Sequence, residues 1–302
     1  MAIPAFVNPD AGSARQALEA LERAGGFSVQ LTPPQELSRR LAAAVAAGTG
    51  RVLVAGGDGT VEAAAATLVG TPTALAILPG GTLNHFPRDH GIPTGPDEAL
   101  VVAREGAVAT VDVGYVNERL FINTSSVGAY VRFVRTRDRI ERRFGYWLAS
   151  LLAGAQVLVK LRLIPVRLEV EGTVKHYRTP LVFVGVGERN LTIPHLGQRV
   201  PTGARGLHVV LVRGRRQARR FARAYGRLTR GLPVKDKPIG LDTALVKQFR
   251  LDLPGRRVIV ATDGEIAPAK TPLAYRHEPD ALRIVVPRDA AAGYARIGDG
   301  AR

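Results

Sequence analysis

Short apolar runs and helical periodicities take turns through the first hundred residues. Ile3–Val7 reads as a strand, and the next helix opens at Ser13, where Gln16 three positions on gives capping-box spacing. Ala17, Leu18 and Leu21 then share one face, and Gly25-Gly26 stops the helix. A strand near Phe27–Leu31 passes through Thr32-Pro33-Pro34 into a second helix that carries Leu37, Leu41, Ala44 and Val45 on one side. Strand Arg51–Ala55, the turn Gly56–Gly59, an alanine-rich helix from Thr60 to about Val69, and strand Ala74–Leu78 follow. The order β-α-β-α-β-α-β predicts a parallel α/β sheet of the Rossmann-like kind.

From about Thr110 the pattern changes to strands joined by turns. Val166, Leu168 and Val170 alternate before Gly172, and Leu181–Val186, Leu207–Val212, Phe249–Leu253, Val258–Ala261 and Leu282–Val286 continue the series. This predicts a mostly antiparallel second domain, a β-sandwich, with helical insertions near 131–160 and 215–231. The expected division is 1–109 and 110–302, with the last residues packing back on the first domain.

A chain of 302 residues has ample material for two cores. It contains no cysteine, which excludes disulfides and thiolate metal sites and suits a reducing, cytoplasmic setting. The N-terminus lacks the basic and long apolar regions of a signal peptide. Phe144–Val159, interrupted by Gln156 and followed by Lys160 and Arg162, is short for a bilayer span. The 42 Lys+Arg against 26 Asp+Glu give a net charge of +16, which favours anionic partners: nucleic acid, acidic lipid or polyphosphate. There is no nucleic-acid motif or interleaved aromatic platform, so no nucleic-acid partner is expected. His85 and His90, with Asp89 between, are poorly spaced for one helix face and make no zinc set. The arginines of 213–230, among them Arg213, Arg216, Arg220 and Arg227, accompany Ala218, Phe221, Ala222, Tyr225 and Leu228 in a basic amphipathic pattern. Arg132–Arg143 is basic too and leads into Phe144-Gly145-Tyr146-Trp147, residue types of the headgroup zone.

The candidate chemistry sits in three turns that follow apolar strands. Gly56-Gly57-Asp58-Gly59-Thr60 lets backbone N–H groups approach a phosphate at a helix N-terminus. A carboxylate at Asp58 would repel phosphates unless Mg²⁺ lies between them or a hydroxyl donates to it. Leu78-Pro79-Gly80-Gly81-Thr82-Leu83-Asn84 is a second glycine turn at a strand end, and Asn8-Pro9-Asp10-Ala11-Gly12 is a third candidate. Strand ends of open α/β sheets are where ligands gather. Neither the GxxxxGK[ST] loop nor GxGxxG fits.

In order and spacing these turns resemble the signatures of the diacylglycerol kinase catalytic family, which includes bacterial lipid kinases and sphingosine and ceramide kinases and is distantly related to NAD kinases. Val111-Asp112-Val113-Gly114, Phe121-Ile122-Asn123, Ser126-Val127-Gly128 and Thr262-Asp263-Gly264-Glu265 also resemble its landmarks. The resemblance implies a Rossmann-like nucleotide domain, a C-terminal β-sandwich, and ATP and lipid headgroup between them. It implies phosphate contacts from Gly56, Gly57, Gly59, Thr60, Gly80 and Gly81, nucleotide contacts from Thr32 and Thr82, and support of the second turn by Asn84, while Asn8 in the third candidate turn would hydrogen-bond ribose or the neighbouring loop. Asp58 would organise Mg-ATP, and Glu265 would be the general base that takes the proton of a lipid hydroxyl. The implied partner is a lipid substrate at an anionic membrane surface, with the protein peripheral on its inner face, and a homodimer is one expected assembly.

The chain departs from the family at Glu62-Ala63, where Asn-Glu is usual, at Gly81, where a bulkier residue is commoner, and at Ala204-Arg205-Gly206-Leu207-His208. The last segment lacks the carboxylates that help hold a structural Mg²⁺ in relatives, so no second metal site is expected there. An NAD kinase and a degenerate lipid-binding regulator of the same fold are the competing readings. Asp58→Ala is expected to abolish transfer with little change in stability.

Overall fold

The computed structural model describes residues 2–128, 163–191, 197–212, 214 and 241–298. The expected helices near 131–160 and 215–231, the 144–159 stretch and the arginines of 213–230 lie outside the described residues. The chain divides into two compact units, Met1–Val113 with Glu278–Arg302, and Gly114–His277.

The first unit opens with β1 (Ile3–Val7), α1 (Ala14–Ala24), β2 (Phe27–Leu31) and α2 (Pro34–Ala46). It continues with β3 (Arg51–Gly56), α3 (Asp58–Leu68), β4 (Ala74–Pro79), α4 (His85–Asp89) and α5 (Pro96–Glu105). The strands pair in parallel in the order β2-β1-β3-β4. β4 is buried along its whole length and β3 along all but its first residue, which is why both read as continuous apolar runs rather than alternating ones. Ala17, Ala20 and Leu21 of α1 and Ala99, Leu100 and Ala103 of α5 pack with Leu53, Ala55, Ala74, Ala76 and Leu78 of the sheet. The alanines let helix and sheet approach closely, and their burial is driven by removal of apolar area from water.

The second unit is built of antiparallel strands. β5 (Ala107–Val116) enters it and is followed by β6 (Arg119–Phe121), β7 (Thr124–Gly128), β8 (Ile164–Val170), β9 (Thr173–Thr179) and β10 (Leu181–Val186). Then come β11 (Leu207–Val212), β12 (Leu241–Val246), β13 (Gln248–Asp252), β14 (Arg257–Thr262), β15 (Glu265–Lys270) and β16 (Leu273–Val286). One sheet runs β12-β11-β10-β7-β14-β15. In the other, β13 lies between β8 and the first residues of β16, and β9 flanks β8. Val127, Val182, Val184 and Val209 from the first sheet share a core with Val166, Leu168, Phe249, Leu251 and Tyr275 from the second. This is the sandwich arrangement, with Tyr275 stacked on Phe249 at 4.5 Å between ring centroids.

The fold class is the expected one, a parallel α/β unit and an antiparallel sandwich. The details differ. α3 begins at Asp58 rather than Thr60, and α4 and α5, neither of them expected, separate β4 from β5. The end of β16, expected among the antiparallel strands, belongs to the first unit and runs parallel to β4, with Ile284 opposite Leu75. After it α6 (Arg288–Gly298) closes the described chain. Among the described residues no helix is long and apolar enough to cross a membrane.

Candidate active site

In the first unit the two glycine turns meet at the carboxyl ends of β3 and β4. These strands are in register from Arg51↔Ala74 to Gly56↔Pro79, so the turns leave the sheet side by side. The Gly80 amide donates to Gly56 O at 2.8 Å. A Cβ on Gly81 would lie 3.0 Å from Gly57 Cα and 3.0 Å from Asn84 Oδ1, so the two turns are in close backbone contact there.

Side chains hold both turns from behind. Asn84, in the left-handed region at φ 49, accepts the Gly81 N–H at Oδ1 (2.9 Å) and donates Nδ2 to Gly81 O (2.8 Å). Asn8 donates Nδ2 to Thr60 Oγ1 at 3.1 Å and accepts the Asp10 amide at Oδ1, which fastens the turn after β1 to α3. Ser13 donates its hydroxyl to Gly80 O at 2.9 Å. That corrects the capping-box reading: Ser13 precedes α1 but makes no side-chain cap, because its single O–H is committed to the second glycine turn.

Asp58 is the first residue of α3, half-buried, and its Oδ1 accepts the backbone N–H of His85 at 2.9 Å. The carboxylate therefore ties the first turn to α4. Thr60 and Val61 amides donate to Gly57 O, while helix geometry leaves the amides of Asp58 and Gly59 without intrahelical acceptors. Gly59 and Thr82 are exposed beside them. Thr32 differs: it is buried, with its hydroxyl donated to Gln30 O and its amide to Val7 O, so its polar groups serve the strand end.

In the second unit Asp263 and Gly264 form the two-residue turn of the β14–β15 hairpin, with Thr262 opposite Glu265 and φ of 47 and 95 at the two turn residues. The Asp263 carboxylate accepts three backbone amides, Ile122 at 2.7 Å, Asn123 at 2.9 Å and Thr124 at 2.8 Å. Enclosure away from water pushes its carboxyl up to about 6, against the pull of those amides and of Arg189. Arg189 is buried and donates to Asn123 O (3.0 Å) and Val186 O (2.8 Å). Glu265 is exposed, and its Oε2 receives Arg119 Nη2 at 3.2 Å.

The Ala204–His208 segment is tied to the chain near Glu188. The Glu188 carboxylate accepts the Ala204 amide at 2.9 Å, and His208, buried on β11, accepts the Arg189 amide at Nδ1, also at 2.9 Å. Among the described residues no three of His, Cys, Asp and Glu gather closely enough to hold a metal on their own.

Residues 3–116 match the diacylglycerol kinase catalytic domain. A protein of Mycobacterium tuberculosis named diacylglycerol kinase is 32% identical over 188 residues, which covers 57% of this chain and 60% of that protein. A protein of Citrobacter koseri named as a YegS-like lipid kinase is 32% identical over 146 residues, or 46% and 48% of the two chains. The chain thus spans half to three fifths of the length of these relatives. A crystal structure of a diacylglycerol kinase from Bacillus anthracis superposes with a TM-score of 0.68 at 19% identity, covering 96% of this chain and 98% of that one. An NAD kinase from Archaeoglobus fulgidus, solved in complex with ATP, gives 0.50 at 13% identity over 97% of each chain. At such identities these likenesses speak to the fold alone.

The sequence pattern gave no sign of the contacts that Ser13, His85, Asp263 and Arg119 make. Asp263 was visible as half of an Asp-Gly turn, but nothing local signals that its carboxylate gathers amides from residues 122–124. Backbone donors carry no mark in sequence.

Proposed function

We propose that the protein is an ATP-dependent lipid kinase, transferring the γ-phosphoryl group of Mg-ATP to the hydroxyl of diacylglycerol or a related lipid. The observation that carries this reading is the contact of two glycine turns at Gly57 and Gly81, with the Asp58 carboxylate at the first position of α3. Bare backbone, a helix N-terminus and one carboxylate make a site for a polyphosphate with its cation. Relatives named as lipid kinases favour a lipid acceptor.

The residues present fit Mg²⁺ brought in with nucleotide. Such an ion is ordinarily held by one or two carboxylates plus substrate phosphates rather than by a protein cage. Asp58 is the carboxylate available, with Oδ1 engaged by His85 and Oδ2 left over for a water-mediated or direct ligand role. When bound, the ion would offset the charge of the phosphates. The amides of Asp58 and Gly59 would bind phosphate oxygens, and Gly80 and Gly81 would admit them without steric conflict.

In the reaction, the lipid hydroxyl oxygen forms a bond to the γ-phosphorus as the bond to the β,γ-bridging oxygen breaks. ADP leaves and Glu265 takes the hydroxyl proton. Phosphoryl transfer depends chiefly on positioning and charge stabilisation, and a general base adds about 10²–10⁴-fold. The lipid stays in its bilayer, so the protein docks peripherally, on an anionic surface suited to its net charge of +16.

The test is Glu265→Gln with diacylglycerol as acceptor. Turnover should fall about 100-fold or more while ATP affinity holds. Equal losses of rate and of ATP affinity would make Glu265 a structural residue and remove the base from the reading.

A further inference from the structure

The β14–β15 hairpin is joined twice to the segment 119–124. Asp263 takes the amides of Ile122, Asn123 and Thr124, and two residues on, Glu265 Oε2 meets Arg119 Nη2 at 3.2 Å. The backbone that presents Arg119 is fixed from both sides. Phe121 at the end of β6 is fully buried, and it packs so tightly on Gly114 of β5 that any side chain there would run into its ring. β5 and β6 are registered by Val116↔Arg119 and Tyr115↔Leu120, so the guanidinium leaves a strand that cannot slide.

The Arg119 side chain is 32% exposed and that of Glu265 62% exposed, an ion pair of a kind that adds little to stability. Its consequence is geometric. An exposed glutamate samples many rotamers, and a base has to lie within hydrogen-bond reach of the proton it takes. We propose that Arg119 is a positioning residue, holding Glu265 by Oε2 so that Oε1 is presented to the acceptor hydroxyl. Asp263 supports the arrangement by fixing residues 122–124. The inference rests on Glu265 being the base.

Arg119→Gln keeps a polar side chain and removes the charge and the fork. It should lower kcat about 10-fold to 100-fold, as loss of orientation does, with the KM for ATP unchanged and the melting temperature preserved. Arg119→Lys should recover a large part of that loss, because an ammonium also reaches a carboxylate. In the Glu265→Gln background, Arg119→Gln should cost nothing further, since residues acting as a unit are not additive. A lost melting transition in Arg119→Gln, no recovery in Arg119→Lys, or full additivity in the double variant would make Arg119 merely structural and overturn the proposal. An unchanged kcat in Arg119→Gln overturns it too. Wild-type turnover in Glu265→Gln alone would bring down the base assignment itself, so the two failures are distinct.

Discussion

The Oδ1 of Asp58 accepts the backbone N–H of His85 at 2.9 Å, and this one bond joins the start of α3 to the start of α4. The same carboxylate is the one proposed to face the cation of Mg-ATP. Its two tasks separate by substitution.

Asp58→Asn keeps an oxygen for the His85 amide and loses the charge, whereas Asp58→Ala loses both. Both variants should lose phosphoryl transfer. Only Asp58→Ala should lose stability, by about 1 kcal/mol for a partly exposed hydrogen bond. Denaturant titration of the three proteins checks this, and equal stability of Asp58→Ala and wild type would mean that the bond to His85 contributes nothing.

α4 is also held from its other end. His90 is buried, its Nδ1 lies 2.5 Å from the Tyr294 hydroxyl of α6, and the two rings stack with centroids 5.8 Å apart. Tyr294→Phe keeps the ring and removes the hydroxyl, so it should cost about 1 kcal/mol of stability through the lost hydrogen bond. Hydrogen exchange of α4 amides, read in Tyr294→Phe against wild type, should show faster opening. Unaltered exchange would place α6 outside the support of the second turn.

His208 should cost the second unit stability in acid, against the opposite slope from Asp263, whose carboxyl is pushed up to about 6. Burial holds the His208 imidazole below its ordinary 6.5, with Arg189 acting in the same direction and Glu188 opposing. The neutral ring accepts the Arg189 amide at Nδ1, and a protonated ring has no lone pair to offer there. The folded state therefore binds this proton less readily than the unfolded state. The associated stability is present above about pH 6.5 and is lost as pH falls below it. His208→Asn, which retains an acceptor and does not titrate, should gain stability relative to wild type as pH falls from about 7.5 to about 5, read as the difference in urea midpoints. An identical pH dependence in both proteins would show that His208 is not the group responsible.

Much of this molecule was legible as pattern. β1 to β4 and their helices follow from apolar runs and helical spacing because β3 and β4 are enclosed on both faces and α1 and α2 on one. The glycine turns were legible because paired glycines at the ends of apolar strands mark turns where backbone can come close, as it does between Gly57 and Gly81. What was not legible is long-range. Ser13 looked like a helix cap, yet its partner Gly80 lies 67 positions away. β16 was expected only over Leu282–Val286 because its first half, from Leu273 through the charged residues around His277, alternates too irregularly to show a strand.

The central claim is phosphoryl transfer to a lipid hydroxyl, and the most direct measurement is the fate of the γ-phosphate. Wild-type protein is incubated with γ-labelled ATP and Mg²⁺ and, in separate reactions, diacylglycerol, sphingosine, ceramide, phosphatidylglycerol or NAD, and the products are resolved. The account predicts label in a phosphorylated lipid, abolished by EDTA and by Asp58→Asn. Label in NADP with every lipid unmodified, or label in none of the acceptors from folded protein, would contradict it.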